Sequence, residues 1–475
     1  MISTSVVYFI FLICTFIVYY LSPTKYRNYV LTLASLIFYM YVKVSYVFLI
    51  ISIIAANYVI AIKIGEAAEK KLKTRFLYLS FLVNIGLLIY FKYWNFIIDN
   101  IFSLSGNNPD KSNFLIVEVI LPLGLSFYIF QTIGYVLDVY RGSLKAEKDF
   151  LKFSLFTLFF PKLLVGPIER AKNLLPQLAI EHKFNKDNLI EGVRLITWGL
   201  FKKLVVADRI SMYVDAVYLH LPQHNSLTFW LATFLYPIQV YADFSGYTDI
   251  AIGTAKLFGI NLMENFKQPL LARNVSDFWR RWHISLSSWV NDYIFNPILY
   301  KRRDWGNIGV FYALIISFIV IGVWHGASWN FVVFGLLQAF ALIYDLVTKN
   351  SRRKISKKVP GFIYNNLSIL FTFLFFTFSL VIFRTTSMGQ ATRIMHIIES
   401  KPGKLFIDTE STMLFIFIGI MILLVRDIQV EYKIFKNKIA GNYKWLLQHI
   451  SYALLLIYIL IAGVFDGGQF IYFAF

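Results

Sequence analysis

The stretch IGVFYALIISFIVIGVWHGASWNFVVFGLLQAFALIYDL, Ile308 to Leu346, sets two apolar runs of helix length on either side of a short turn. Lys301, Arg302 and Arg303 precede the first run, and the basic cluster Ser351–Lys358 follows the second. Cations collect in the cytoplasmic loops of membrane proteins, so these ends predict a hairpin that leaves the cytoplasmic side and turns toward the outside. Its turn, Trp324-His325-Gly326-Ala327-Ser328-Trp329, carries an ionisable ring. Both runs lie near the lower limit for a span, roughly 17 residues, which predicts a turn recessed below the outer surface.

The whole chain repeats this character. Its 475 residues are 58% hydrophobic and 18% aromatic, with only 15% charged. Soluble chains carry roughly 25% charged residues, so too few charges remain here to coat soluble domains. At about 20 apolar residues per helix, the length predicts an all-α, polytopic transmembrane helix bundle of roughly 11–13 spans. The net charge is +19, from 46 Lys and Arg against 27 Asp and Glu. Because those cations sit between apolar runs, they mark cytoplasmic loops rather than a nucleic-acid surface. The single cysteine, Cys14, excludes a disulfide and a cysteine-ligated metal. The first segment lacks a small-residue cleavage site and is expected to be a retained helix.

Further apolar segments run near Val6–Leu21, Tyr29–Tyr41, Val47–Ile62, Phe76–Tyr90 and Leu115–Val136, and later at Phe362–Phe383, Met413–Val425 and Leu446–Phe465. Basic loops follow the first, third and fifth, whereas Asp99–Asn113 is nearly free of cations. This places the N-terminus outside. Between Leu151 and Arg303 the pattern is broken by Pro161, Pro167, Pro237 and Gly246 and by Glu169, Arg170, Asp243 and Asp249. Polar groups at membrane depth are costly unless they are buried in protein or line a wet cavity. Re-entrant or amphipathic helices around a tunnel are therefore expected there. Without a repeat or linker, residues 1–475 read as one membrane domain: N-terminal helices 1–114, a core 115–385 and C-terminal helices 386–475.

Two of the seven histidines stand apart. His182, His220, His224, His396 and His449 lie in polar connections or at segment ends and read as solvated or interfacial. His325 sits where Ser328 can cap the following helix, whose positive end favours a neutral imidazole and a nearby oxyanion. Gly326 would admit a substrate closely. A buried histidine tied to a neighbouring helix fits the spacing equally well. His283 lies in Ser276-Asp277-Phe278-Trp279-Arg280-Arg281-Trp282-His283, read as a helix capped by Ser276 with Phe278, Trp282, Leu286 and Trp289 on one face. That face suits an interfacial anchor; alternatively the arginines approach an anionic cofactor and His283 lines the site. Asp243 and Asp249 read as buried partners of Arg280, Arg281 or Arg170. No Walker loop, dinucleotide fingerprint, nucleophile elbow or zinc-spaced histidine pair is present.

Taken in order, Leu121-Pro122-Leu123-Gly124-Leu125-Ser126-Phe127-Tyr128 leading to Asp138-Val139-Tyr140-Arg141-Gly142, then Val165-Gly166-Pro167-Ile168, Asp243-Phe244-Ser245-Gly246-Tyr247, Phe278–His283 and Trp324-His325-Gly326 resemble the membrane-bound O-acyltransferase superfamily. The closest likeness is to its bacterial alginate O-acetyltransferase branch. The end, Phe470–Phe475, looks similar, with Ala474 where that branch suggests Gln.

The resemblance implies that His325 is the catalytic histidine and His283 a second important one. It implies an acyl thioester donor, such as acetyl-CoA, no metal, and a hydroxyl acceptor on an exported or envelope polysaccharide. Arg280 and Arg281 are candidates for the donor phosphates. Asp243, Ser245, Tyr247, Trp279, Trp324 and Ser328 are candidates for the tunnel wall or its frame. A separately encoded extracytoplasmic O-acetyltransferase would receive the acetyl group, and the bacterial cell membrane would hold the protein. D-alanyl transfer to teichoic acid is the alternative within the superfamily. A secondary transporter is the alternative outside it, although the repeated halves common in transporters are absent.

Overall fold

A computed structural model describes residues 3–41, 43–106, 121–434 and 442–465. The start of the fifth apolar segment, part of the cation-poor loop and the motif at Phe470–Phe475 lie outside the described residues. Among the described residues the regular structure is all helical, with no strand. Among the described residues, six helical stretches are long and apolar enough to cross a membrane: Val44–Glu66, Lys70–Leu104, Asn307–His325, Trp329–Val347, Gly361–Arg384 and Glu410–Tyr432. Two shorter ones are Val6–Leu21 and Leu446–Ala462. The protein is a multi-pass membrane protein. Its remaining apolar segments are shorter or carry charges, as a chain with much protein-buried polar structure requires.

The chain divides into two compact units. The first, Met1–Val193 with Ala251–Met263, contains α1 (Val6–Leu21), α2 (Arg27–Met40), α3 (Val44–Glu66), α4 (Lys70–Leu88), α5 (Trp94–Leu104), α6 (Leu125–Tyr140), α7 (Phe150–Leu158), α8 (Phe160–Leu163) and α9 (Ala171–Leu178). Helices α3, α4 and α6 share a buried amide cluster. Asn84 donates to the Asn57 side-chain oxygen at 2.8 Å, and Ser80 donates to that oxygen at 2.8 Å. Thr132 donates to Asn84 at 3.2 Å. Such bonds join helices where apolar contact alone cannot distinguish a partner helix from lipid.

The second unit, Arg194–Ile250 with Glu264–Phe475, begins inside α10 (Lys186–Leu200). A π-helical turn, Phe201–Ala207, leads into α11 (Asp208–Leu219), and α12 spans Ser226–Leu257. Contrary to the expected break, α12 runs through both Pro237 and Gly246. Gly246 is there for a close crossing: a Cβ on Gly199 of α10 would lie 2.5 Å from the Gly246 carbonyl oxygen. Gly199→Ala is expected to cost about 1–3 kcal/mol through this overpacking, read as a lower thermal unfolding midpoint in detergent. An unchanged midpoint would contradict the crossing.

Then come α13 (Val275–Arg281), α14 (Ile284–Val290), α15 (Asn296–Lys301), α16 (Asn307–His325), α17 (Trp329–Val347), α18 (Lys349–Ser356), α19 (Gly361–Arg384), α20 (Met388–Ser400), α21 (Glu410–Tyr432) and α22 (Asn442–Ala462). Helices α16 and α17 form the expected hairpin. Each has 19 residues, about 28 Å at 1.5 Å per residue, so the turn's flanking residues extend both runs to a full span. Gly322 and Gly335 let them touch, since a Cβ on either would lie 2.2 Å from a carbonyl oxygen of the facing helix.

Candidate active site

The expected single amphipathic helix around His283 is two short helices. Asn274, not Ser276, caps α13, accepting from the Asp277 N–H at 2.8 Å. Ser276 instead donates its own N–H to Asp345 at 2.8 Å. The chain then leaves the helix at Trp282, and His283 takes φ +43°, the left-handed region, before α14 begins. Phe278, Trp282, Leu286 and Trp289 are all buried within protein, not set in an interfacial face. Trp282 stacks on Phe278 at 5.4 Å, and Phe376 lies 4.1 Å from Phe278. Aromatic contact replaces the lipid contact that periodicity suggested.

His283 is 1% exposed. Its Nδ1 lies 3.2 Å from the Asn265 side-chain oxygen, and its Nε2 meets no protein hydrogen-bond partner. Burial pushes its pKa down to about 3, so the ring is neutral. Phe244 of α12 packs edge-on at 4.6 Å and the Trp324 indole at 5.7 Å.

Trp324 is also 5.1 Å from His325, so one indole contacts both histidines. His325 ends α16, 4% exposed, against Phe383 at 5.3 Å and Phe334 at 6.5 Å. Its ring is enclosed by protein. Ser328 caps α17 as expected, accepting from the Asn330 N–H at 3.3 Å. Asn330 in turn donates to the Thr385 carbonyl at 2.7 Å, tying the turn to the end of α19. Gly326 does not leave room for a substrate. A Cβ there would lie 2.1 Å from the Phe331 ring, which already fills that space.

A cavity of about 410 Å³ opens beside α13, lined by Trp279, Arg280, Ser287, Ser288, Asn291, Ser317, Phe318 and Ile321 among others. Its lining reaches Ile321, one helical turn before His325. Trp279 is fixed there by its N–H to Gln338 at 3.2 Å and by Phe318 at 4.9 Å. The two arginines separate. Arg280 is exposed and lines the cavity. Arg281 is held by both oxygens of Glu431, at 2.7 and 2.9 Å, and by Asp277 at 3.0 Å.

Asp243, buried, and Asp249, half-buried, are indeed paired, but with lysines rather than arginines. Lys203 lies 2.7 Å from Asp243 and 2.7 Å from Asp208, and Lys202 lies 2.8 Å from Asp249. The π-helical turn carries both lysines, and such bulges re-aim side chains within a helix. Tyr247 faces Lys203, 5.2 Å from ring centre to ammonium. Ser245 is buried on the same helix, and its hydroxyl meets no protein partner. His224, expected to be solvated or interfacial, is buried against Phe406 at 4.8 Å. Among the described residues, no three His, Cys, Asp or Glu side chains converge to hold a metal ion.

The model of the MBOAT, membrane-bound O-acyltransferase family, matches residues 143–387, a span that includes His283 and His325. The chain belongs to the membrane-bound O-acyltransferase family. It is an O-acyltransferase. A probable alginate O-acetylase AlgI of Pseudomonas putida is 35% identical over 396 residues, covering 82% of this chain and 79% of the relative. A peptidoglycan O-acetyltransferase of Helicobacter pylori is 33% identical over 391 residues, covering 77% and 72%. A teichoic acid D-alanyltransferase of Bacillus subtilis is 30% identical over 274 residues, covering 55% and 68%.

Sequence reasoning missed the residues that pair with the candidate side chains or their helices: Asn265, Lys202, Lys203, Asp345 and Glu431. The two lysines had a usable signal, being cations inside the apolar stretch Leu189–Leu204. Asn265, a neutral residue in a loop, had none.

Proposed function

We propose that this O-acyltransferase moves an acetyl group from a cytosolic thioester, such as acetyl-CoA, across the bacterial cell membrane toward hydroxyls of an exported or envelope polysaccharide. Supporting the reading is the contact of buried His283 and buried His325 with one shared indole, Trp324, within the family-matched span. The names of the alginate and peptidoglycan relatives suggest the acceptor class. His325 is the general base. It takes the hydroxyl proton as the oxygen bonds to the thioester carbonyl. The tetrahedral oxyanion then re-forms the carbonyl as the carbon–sulfur bond breaks, and the leaving thiolate receives the proton from His325. His283 orients the reacting group or stabilises its charge. Asp243, Ser245, Tyr247, Trp279, Trp324 and Ser328 frame the passage within a functional core of residues 115–385. A separately encoded extracytoplasmic O-acetyltransferase completes delivery.

Arg280, exposed beside the cavity, is the residue for the donor's phosphates. Arg281, already paired with Glu431, anchors the helix. Arg280→Ala is therefore expected to raise KM for the donor about tenfold, or about 1.4 kcal/mol, with kcat retained. Arg281→Ala lowers the unfolding midpoint instead. An unchanged KM in Arg280→Ala would remove that role.

The D-alanyltransferase relative gives the second reading, transfer of D-alanine to teichoic acid. Ester analysis of envelope polymers from cells with and without this protein separates the two. Loss of acetyl esters supports the proposal, loss of D-alanyl esters supports the alternative, and loss of neither rejects both.

A further inference from the structure

We propose that Asn265 is a positioning residue that fixes His283 as the Nδ1–H tautomer, leaving Nε2 as a proton acceptor inside the site. The inference rests on the reading that His283 belongs to the acyl-transfer site. Asn265 and His283 are each 1% exposed and Ser285 is 0% exposed, so water does not set their hydrogen bonding.

The Ser285 backbone N–H can only donate. The backbone N–H of Ser285 lies 3.1 Å from the Asn265 Oδ1, and the Ser285 hydroxyl donates to the same atom at 2.9 Å. A backbone N–H facing that atom requires it to be the amide oxygen, so the Asn265 orientation is determined. The same oxygen faces His283 Nδ1 at 3.2 Å. The Ser285 hydroxyl also lies 3.5 Å from Nδ1, but its proton goes to the Asn265 oxygen at 2.9 Å, so Nδ1 faces only acceptors and carries the ring proton. A neutral imidazole has one ring proton, so Nε2 keeps its lone pair. That nitrogen meets no protein hydrogen-bond partner, on a ring flanked by Phe244 and Trp324.

The backbone supports the arrangement from both sides. Ile284 N–H donates to the Asn265 carbonyl at 2.9 Å, and Lys267 N–H donates to the Arg281 carbonyl at 2.9 Å. These bonds clamp the segment containing Asn265 onto the chain around His283, whose left-handed backbone would otherwise be disfavoured. A plain loop tie would need only these backbone bonds. The Asn265 side chain adds control of the imidazole proton, as outer-shell partners do for histidines in other sites.

The test uses full-length protein in lipid nanodiscs with 15N-labelled histidine, the His283 signals being assigned by difference against His283→Gln. The wild type is expected to show the proton on Nδ1. Asn265→Leu is expected to shift it toward Nε2 and to lower transfer roughly 10- to 100-fold, with donor KM unchanged. Asn265→Asp still offers one oxygen to Ser285 and His283. It is expected to keep the Nδ1 proton and recover most of the transfer. A wild-type proton on Nε2 would overturn the inference, as would wild-type transfer by Asn265→Leu. So would equal losses in Asn265→Leu and Asn265→Asp with the Nδ1 proton kept in both. If Asn265→Leu fails to insert, the wild-type spectrum and Asn265→Asp decide. Full transfer by His283→Gln would instead reject the site reading and leave the tautomer result standing.

Discussion

Replacing His325 by alanine is expected to lower acyl transfer by about 10²- to 10⁴-fold, the usual contribution of a positioned general base. The protein should remain folded and inserted. The ring's aromatic neighbours Trp324, Phe334 and Phe383 also pack on one another or on adjoining helices, so its loss leaves a small cavity at a helix end. The Ser328 cap and the Asn330–Thr385 tie do not involve the imidazole. Activity and stability should therefore separate, with transfer lost at a nearly unchanged unfolding midpoint. His325→Gln, which keeps volume and a polar end but cannot take up the proton at neutral pH, should fail equally. Transfer retained by either variant would remove the base from the mechanism.

The largest expected effect on stability is at Lys203. Its ammonium, 3% exposed, is shared by Asp243 and Asp208, which are 2% and 4% exposed. Lys203→Met preserves much of the side chain's length but leaves two carboxylates buried without their cation. Breaking a buried pair by removing one partner typically costs about 3–5 kcal/mol, because the remaining charge cannot return to water. The thermal midpoint in detergent should fall accordingly. Adding Asp243→Asn to Lys203→Met removes one of the stranded charges and should restore part of the loss. A double-mutant cycle in which the two changes merely add would show that Lys203 and Asp243 are not coupled. Equal midpoints for wild type and Lys203→Met would contradict the pairing itself.

The sequence exposes some of this architecture and conceals other parts for identifiable reasons. The helical hairpin carrying His325 was legible because two apolar runs bracket one polar turn, and its Ser328 cap followed from residue type and position. The course of α12 was not. Pro237 and Gly246 are breakers in isolation, yet Gly246 serves a helix crossing at Gly199 that no local pattern reveals. Periodicity likewise read the segment around His283 as one helix. Its break at Trp282 depends on backbone bonds to the loop at Asn265 and Lys267, partners distant in sequence. The identity of the Asp243 counterion was hidden for the same reason: spacing identifies a buried charge, but tertiary packing selects lysine over arginine. Charge pattern also could not separate Arg280 from Arg281. Glu431, 150 residues away, holds only the second.

The most direct measurement uses sealed inverted membrane vesicles, supplied on their cytoplasmic face with a thioester bearing a labelled acetyl group. Labelled, alkali-labile ester should appear on polymer inside vesicles containing the wild-type protein and be absent from those containing His325→Ala at equal abundance. Equal labelling by the two proteins would contradict the account.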